Sequence, residues 1–196
     1  MPKLWFYHGV MGSIKSGLLI CVAYNYKEKG MNPLILTSAK DKRSGLNKVK
    51  SRIEGLEYKA ISVYNKDNIY DMVCNIVFDL SNSTKIDVVL VDEANFFTKE
   101  HIDQLSDVVD SLGIPVICWG LKTDFRTSFF PSSQRLLEIA DEIHEVKSMC
   151  SCSKKATINA RVENGKVVNK GEQIKIDGDA EYISMCRKCW KKNLEA

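Results

Sequence analysis

The sequence predicts an α/β fold, in which a parallel β-sheet is flanked by helices, followed by a small C-terminal β lobe. Short apolar segments alternate with segments of helical spacing up to about residue 147. The apolar segments include continuous runs such as Val88-Val89-Leu90-Val91, which are typical of strands buried on both faces of a parallel sheet. From about residue 150 the pattern changes to short alternating segments between pairs of cysteines.

Each element of the sheet region is predicted from its own local pattern. The strands are expected at residues 4–7, 33–37, 88–91, 115–119 and 142–147, and the helices at residues 16–29, 68–80, 101–112 and 133–140. The stretch at residues 38–59 is basic and polar without clear periodicity, so we expect a partly mobile loop there. Ligands of open α/β sheets bind beyond the carboxyl ends of the strands. The loops after Tyr7, Val91 and Trp119 should therefore converge on a ligand site.

The change in pattern near residue 150 divides the chain into two expected units. Residues 1–149 would form the α/β domain, and residues 150–196 would form the small β lobe. Within the lobe, Asn164-Gly165 separates strands expected at residues 157–162 and 166–169. This dipeptide indicates a two-residue hairpin, because both turn positions need positive φ.

Composition and charge exclude several classes of protein. The 196 residues include 28 basic and 25 acidic ones, and the formal charge of +3 is too balanced for nonspecific nucleic-acid binding. The first residues lack the pattern of a secretory signal, and no apolar run is long enough to span a membrane. We therefore expect a cytoplasmic protein without a nucleic-acid or membrane partner.

A phosphate-binding loop is predicted where the first strand meets the first helix. The segment matches G-x-x-x-x-G-K-[ST] except for Ile14, and it reads Gly9-Val10-Met11-Gly12-Ser13-Ile14-Lys15-Ser16. Backbone N–H groups would hold the phosphates, Lys15 would reach the β and γ oxygens, and Ser16 would bind Mg²⁺. Glycine is usual where Ile14 stands, because the backbone there often has positive φ. A strain of about 1–3 kcal/mol is expected if that shape is retained.

Two further motifs follow predicted strands. Asp92 and Glu93 end a buried strand, where Asp92 suits a Mg²⁺-linked role and Glu93 suits a general base. The alternative is a solvated strand end or a helix N-cap. Leu121-Lys122-Thr123-Asp124 is similar to the guanine-reading N-K-x-D motif of GTPases, but leucine replaces the asparagine that reads the base. The motifs therefore favour ATP-dependent phosphoryl transfer.

The seven cysteines fall into two groups. Cys21, Cys74 and Cys118 stand singly in apolar surroundings and are expected to be small core residues. The others form two close pairs on either side of the predicted hairpin, which is what a tetrahedral structural Zn²⁺ site needs: Cys150, Cys152, Cys186 and Cys189. Unpaired core cysteines are the alternative for this group.

With all of these motifs considered, the chain resembles the zinc-containing thymidine kinases, the family that includes bacterial and human cytosolic enzymes. The resemblance covers nearly the whole length. It is carried by the phosphate loop with its internal methionine, Tyr24-Asn25-Tyr26, Asp41-x-Arg43, Asp92-Glu93-Ala94-Asn95-Phe96-Phe97, Gly120-Leu121-Lys122-Thr123-Asp124-Phe125-Arg126 and the two cysteine pairs. The resemblance implies a RecA-like P-loop domain and a zinc-binding lobe. The lobe would carry a lasso, the segment at residues 170–182 that closes over the nucleoside. The resemblance also implies transfer of the ATP γ-phosphate to the 5′-hydroxyl of thymidine, and a homotetramer.

The resemblance also assigns residues to roles. Glu93 would be the catalytic base, and the residues at Mg-ATP would be those of the phosphate loop together with Asp41, Arg43, Asp92 and Asn95. Thymidine would contact Met11, Phe96, Leu121, Phe125, Phe130, and the lasso residues Ile174, Ile176, Gly178 and Tyr182. Arg52 and Arg126 would balance transition-state charge. The alternatives are ordinary core residues for the phenylalanines, a surface hairpin for the lasso and a solvated basic face for the arginines.

Two departures from the family pattern leave a second function open. Ile14 replaces the usual glycine, and Asn95 stands where glutamine is commoner. A catalytically impaired relative that only binds a nucleoside or nucleotide is therefore the alternative to an active kinase. A nucleic-acid-binding ribbon is a third hypothesis, but interleaved aromatic and basic residues are sparse in the C-terminal lobe.

Overall fold

The computed structural model describes residues 1–41, 45–79, 85–173 and 181–194. The described strands in chain order are β1 (Leu4–His8), β2 (Pro33–Ser38), β3 (Lys48–Lys50), β4 (Glu57–Lys59), β5 (Ile61–Val63), β6 (Val88–Val91), β7 (Val116–Gly120), β8 (Glu142–Glu145), β9 (Ile158–Glu163), β10 (Lys166–Val168) and β11 (Glu181–Met185). The described helices are α1 (Lys15–Glu28), α2 (Ile69–Val77), α3 (Lys99–Leu112), α4 (Pro131–Ile139) and α5 (Arg187–Leu194), with a 3₁₀ turn at Ala94–Phe96.

A six-stranded sheet forms the centre, in the order β5-β2-β6-β7-β1-β8, and its pairs are parallel. Side chains of β6 alternate between its faces. Val88 and Leu90 pack in the cluster that includes α1, while Val89 and Val91 pack in the cluster that includes α2 and α3. The run is apolar throughout because both faces are covered. The predicted α/β class is confirmed.

Local signals define where the helices begin and end. Asn68 caps α2 by accepting a hydrogen bond from the Asp71 amide. Thr98 and His101 form a reciprocal capping box at the start of α3, and Gly113 ends that helix in the left-handed conformation. Burial lowers the pKa of His101 and so favours the neutral ring, whose Nδ1 accepts a hydrogen bond from the Thr98 amide. The predicted helices are all present, with ends that differ by a few residues.

The prediction of a loop at residues 38–59 is wrong in part. Strands β3 and β4 pair as an antiparallel ribbon, and Val49 of this ribbon is buried against α1. Just beyond that stretch, β5 forms the edge of the parallel sheet. These three-residue strands are too short for an alternating pattern to be visible. Residues 42–44 lie outside the described part of the chain.

The C-terminal region contains a separate three-stranded antiparallel sheet in the order β10-β9-β11. Asn164 and Gly165 have φ of 50° and 74°, so the predicted hairpin turn is confirmed. Among the described helices, none is both long and apolar enough to cross a membrane. The single cysteines differ from the prediction: Cys118 is buried and Cys74 is partly buried, but Cys21 is exposed on α1, so its assignment to the core is wrong.

Candidate active site

A cavity of about 610 Å³ lies at the carboxyl ends of the central strands. Strands β6, β7 and β1 are neighbours in the sheet, and residues of the loops that follow them line the cavity. The prediction that these loops converge is confirmed. The remaining walls come from residues 50–53 near the β3–β4 ribbon and from the C-terminal region.

The phosphate loop connects β1 to α1 and contains two left-handed residues. Gly12 has φ of 76°, and Ile14 has φ of 62°. The loop has therefore kept the backbone conformation for which glycine is preferred, and the β-branched Ile14 is strained there by about 1–3 kcal/mol. The Ile14 side chain is 55% exposed, so burial offsets little of this strain.

The start of α1 offers backbone donors to the cavity. Among the described residues, no side chain hydrogen-bonds to cap this helix, and its first turn holds no acidic residue. First-turn N–H groups of a helix point outward along the axis and carry its partial positive charge. The end of α1 is therefore suited to bind phosphate oxygens.

Lys15 places its ammonium group against the phosphate loop. The side chain is buried, and Nζ donates to the Val10 carbonyl at 2.9 Å and to the Ser13 hydroxyl at 3.2 Å. Ser13 in turn donates to the same Val10 carbonyl at 2.8 Å. These contacts hold the cation at the cavity wall, where it can contact the oxygens of a bound anion.

The strain at Ile14 leads to a test of stability. We expect Ile14→Gly to raise the free energy of unfolding by about 1 kcal/mol relative to Ile14→Ala, because only glycine adopts positive φ without steric cost. Both variants remove the exposed side chain, so the difference between them isolates the effect of the backbone conformation. Urea unfolding followed by circular dichroism measures it. A glycine variant no more stable than the alanine variant would contradict the assignment of strain.

Asp92 and Ser16 form a pair of oxygen donors beside the loop. Asp92 is buried, and its carboxylate accepts a hydrogen bond from the Ser16 hydroxyl. Burial and the neighbouring charge of Glu93 raise the pKa of Asp92 to about 7. A divalent cation would stabilise the charged form, and hard oxygen ligands are those that Mg²⁺ prefers. The pair fits a Mg²⁺ ion that accompanies nucleotide phosphates.

Glu93 follows Asp92 and also lines the cavity. Its backbone is left-handed, with φ of 49° and ψ of 42°, immediately before the 3₁₀ turn. A non-glycine residue rarely adopts this conformation, and strained residues of this kind cluster at functional sites. The turn directs the chain away from β6 so that two successive carboxylates both reach the cavity wall.

Apolar and aromatic side chains form another part of the wall. Phe96, Leu121 and Phe130 pack together with Met11. The rings of Phe96 and Phe130 lie edge to face, with centroids 6.0 Å apart and an interplanar angle of 83°. Such a surface suits a flat, partly apolar ligand.

Phe125 is held in place from the C-terminal sheet. Its ring is 1% exposed, and the guanidinium carbon of Arg161 lies 3.7 Å from the ring centroid. Arg161 also pairs with Glu163 at 3.2 Å and donates to the carbonyls of Lys170 and Glu172. This buried arginine therefore connects the aromatic wall to the chain that leads into residues 174–180.

Two polar side chains shape the loop after β7. Asp124 accepts hydrogen bonds from Arg126 Nε at 2.9 Å, from Arg126 Nη2 at 2.8 Å and from the Ser128 amide at 2.9 Å. These hydrogen bonds of Asp124 stabilise the loop after β7. They agree with the sequence, which departs from the guanine-reading motif at Leu121. Asn95 Oδ1 accepts from the Leu121 amide at 2.8 Å and joins this loop to the one after β6.

Most of the predicted site residues lie together. Those that line the cavity are Met11, Gly12, Ile14, Lys15, Ser16, Asp41, Arg52, Asp92, Glu93, Phe96, Leu121, Phe125, Phe130 and Tyr182. Gly9, Val10, Ser13, Asn95 and Arg126 are not among the lining residues, although Val10 and Ser13 contact Lys15 and Asn95 contacts Leu121. Predicted residues outside the described part of the chain are Arg43, Ile174, Ile176 and Gly178.

Several lining residues were not predicted as site residues. They are Gly17, Lys50, Ser51, Ile53, Asp124, Asn159, Gln173 and Glu181. Lys50, Ser51 and Ile53 lie in the stretch without periodicity, which offered no local signal. Asn159 offered a weak one, since asparagine is uncommon within strands and needs hydrogen-bond partners when it is buried.

The four predicted metal ligands form a compact cluster. The Sγ atoms of Cys150, Cys152, Cys186 and Cys189 all lie within 4.8 Å of one another. Tetrahedral Zn²⁺ with bonds of about 2.3 Å places sulfur atoms about 3.8 Å apart. Backbone N–H groups of Cys152 and Cys186 lower the pKa of Cys150 to about 6, which favours its thiolate, whereas hydrogen bonds with the other three thiols raise the pKa of Cys189. The cluster is compatible with zinc.

A small-molecule kinase needs a phosphate loop, carboxylates and a wall for the acceptor substrate in one cavity. This cavity joins a phosphate loop, paired carboxylates and an aromatic wall. The chain is therefore a P-loop enzyme of this class. Comparison with known proteins narrows the class. A family model described as thymidine kinase matches residues 2–190. The chain belongs to the thymidine kinase family, and the resemblance predicted from the sequence is confirmed.

Individual relatives support the match over nearly the full length. The thymidine kinase of Francisella tularensis subsp. holarctica strain LVS is 47% identical over 200 residues, which cover 99% of each chain. The thymidine kinase of Legionella pneumophila strain Lens is 43% identical and covers 98% of this chain and 90% of its own. That of Agrobacterium fabrum strain C58 is 42% identical, over 97% and 96%.

Proposed function

We propose that this chain transfers the γ-phosphoryl group of ATP to the 5′-hydroxyl of thymidine and so makes dTMP. The observation that carries the proposal is that a single cavity is lined by the phosphate-loop residue Lys15, by Glu93 and by the aromatic wall that contains Phe96. Phosphoryl transfer relies mainly on positioning and charge stabilisation. The family match supports thymidine as the nucleoside.

The phosphates of ATP would lie at the phosphate loop. The N–H groups at the start of α1 and the ammonium of Lys15 suit the phosphate oxygens. Ser16 and Asp92 would hold Mg²⁺, which supplies charge neutralisation at the transferred group when bound. Asp41 and Arg52 also line the cavity and are proposed to lie near the phosphates.

Thymidine would lie against the aromatic wall. Phe96, Phe125 and Phe130 suit the faces of a flat base, and Met11 and Leu121 complete the apolar surface. Glu93 is then the carboxylate proposed to accept the proton of the 5′-hydroxyl. Tyr182 lines the same cavity and is proposed to lie near the sugar.

The four-cysteine cluster is proposed to hold a structural Zn²⁺ ion. The core around it is small, with Val10, Ala156, Cys150 and Cys186 as its buried apolar members. A small sheet of this kind gains much of its folding free energy from a metal. A homotetrameric state and a cytoplasmic location are further proposals, and they are supported by the resemblance to the family.

The function is tested by a kinase assay across the natural nucleosides. Purified protein, Mg-ATP and each radiolabelled nucleoside are incubated separately, and products are separated by chromatography. We expect dTMP from thymidine and little product from deoxycytidine, deoxyadenosine or deoxyguanosine, with no product when EDTA removes the divalent cation. Calorimetric binding of thymidine without any dTMP formation would contradict an active kinase and would support the impaired alternative.

A further inference from the structure

The backbone of Met11, in the middle of the phosphate loop, is held by two side chains of the C-terminal sheet. The Met11 N–H donates to Asn159 Oδ1 at 2.7 Å, and the Met11 carbonyl accepts a hydrogen bond from the Ser184 hydroxyl. Asn159 is 4% exposed, so its amide is out of bulk water. Both polar groups of one loop residue are thus bound by side chains distant in sequence.

The two side chains form one structural unit. Ser184 on β11 lies directly opposite Asn159 on β9 in the antiparallel register. Neighbours in such a pair share a face of the sheet and lie close together. Asn159 also donates through Nδ2 to the Thr123 carbonyl at 3.1 Å, in the loop after β7. The pair therefore connects the phosphate loop, the loop after β7 and the C-terminal sheet.

We propose that Asn159 and Ser184 are positioning residues for nucleotide binding, and we call this pair, with its hydrogen bonds to Met11, the Met11 clamp. The proposal rests on the proposed function, because it takes the phosphate loop as the site for ATP. The clamp fixes the peptide planes on both sides of Met11. The orientation of the next residues, including the left-handed Gly12 and Ile14, is set by these planes.

The physical reason for a clamp is the strain in the loop. Gly12 adopts its positive φ without steric cost, but the left-handed conformation of Ile14 is strained, and this strain favours relaxation of the loop to other conformations. A strained backbone persists only where its surroundings hold it. Preorganising the loop before ATP arrives lowers the ordering cost of binding. The clamp also makes ATP affinity depend on β9 and β11, strands that lie next to the cysteine cluster in the chain.

Ser184→Ala is the variant that tests the clamp. Ser184 is not among the residues that line the cavity, so its loss removes a hydrogen bond to the loop without removing a cavity wall. We expect Kd for Mg-ATP and KM for ATP to rise about tenfold, as for the loss of one partly buried hydrogen bond. kcat at saturating ATP should stay within about twofold, and Ser184→Thr, which keeps the hydroxyl, should restore the affinity.

Ser106→Ala is the matched control. Ser106 also donates its hydroxyl to a backbone carbonyl, that of Asp103, but it lies on α3 and away from the cavity lining. This variant should bind Mg-ATP as the wild type does. In a double-mutant cycle, Asn159→Leu and Ser184→Ala should be non-additive, because both loosen the same residue.

The results of these experiments distinguish a failure of the clamp proposal from a failure of the proposed function. If Ser184→Ala binds Mg-ATP as tightly as the wild type in calorimetry, the clamp is wrong whatever the enzyme phosphorylates. If affinity falls equally in Ser184→Ala and Ser106→Ala, the effect is general destabilisation and the clamp is also wrong. The proposed function fails instead if the wild type makes no dTMP, a result that leaves the calorimetric comparison intact.

Discussion

Replacing Glu93 with glutamine is expected to lower kcat for dTMP formation by a factor of about 10² to 10⁴, the usual contribution of a general base. The amide has nearly the same shape as the carboxylate, but it cannot accept the hydroxyl proton. Glu93 lines the same cavity as the phosphate-loop residues and the phenylalanines. Its left-handed backbone directs it there at an energetic cost, which supports a functional role.

Initial rates at saturating thymidine and Mg-ATP measure this effect, and calorimetry shows whether both ligands still bind. The matched control is Glu100→Gln on α3, an exposed residue that is not among those lining the cavity, and its activity should be close to that of the wild type. A Glu93→Gln variant that binds both ligands and retains wild-type kcat would rule out the proposed mechanism.

Replacing Cys186 with serine is expected to remove the metal and to unfold the C-terminal sheet. The apolar core of this region is small, and Cys186 is one of its buried members. Without a bound cation the remaining thiolates repel one another, and structural zinc commonly contributes folding free energy on the order of 10 kcal/mol. The loss should reach the active site, because Asn159, Arg161 and Tyr182 belong to strands of this sheet.

Three measurements test the expected effects of Cys186→Ser. Metal analysis should find zinc in the wild type and a strongly reduced amount in Cys186→Ser, thermal unfolding should occur at lower temperature, and dTMP formation should fall more than about tenfold. Cys21→Ser is the control, since Cys21 is exposed on α1 and outside the cluster. A Cys186→Ser protein with unchanged metal content and stability would show that the cluster is not a structural metal site.

The parallel sheet could be predicted because its strands carry strong local signals. The run Val88–Val91 is apolar on both faces, and the structure covers both faces with helices. The β3–β4 ribbon was missed because three-residue strands show no measurable period. Cys21 was misassigned because apolar neighbours in the sequence do not decide which side of α1 a residue faces.

Some residues of the candidate site could also be predicted from the sequence, and others could not. The phosphate loop, the carboxylates after β6 and the cysteine pairs are contiguous motifs, so their chemistry could be predicted from the residues themselves. The strain at Ile14 was expected from the motif, and the structure shows that its left-handed backbone is retained. Residues that complete the cavity from elsewhere, such as Ser51 and Gln173, had no motif to mark them.

By itself the sequence predicted the helices and the longer strands of the parallel sheet, the chemistry proposed for the main motifs and the family to which the chain belongs, because each depends on residues close together in the chain. Only the tertiary structure decided which distant residues meet. Asn159 reaches Met11 across 148 positions, and Arg161 covers the ring of Phe125. Such contacts depend on strand register and on how the C-terminal sheet packs against the loops, and these follow from the packing of the whole chain.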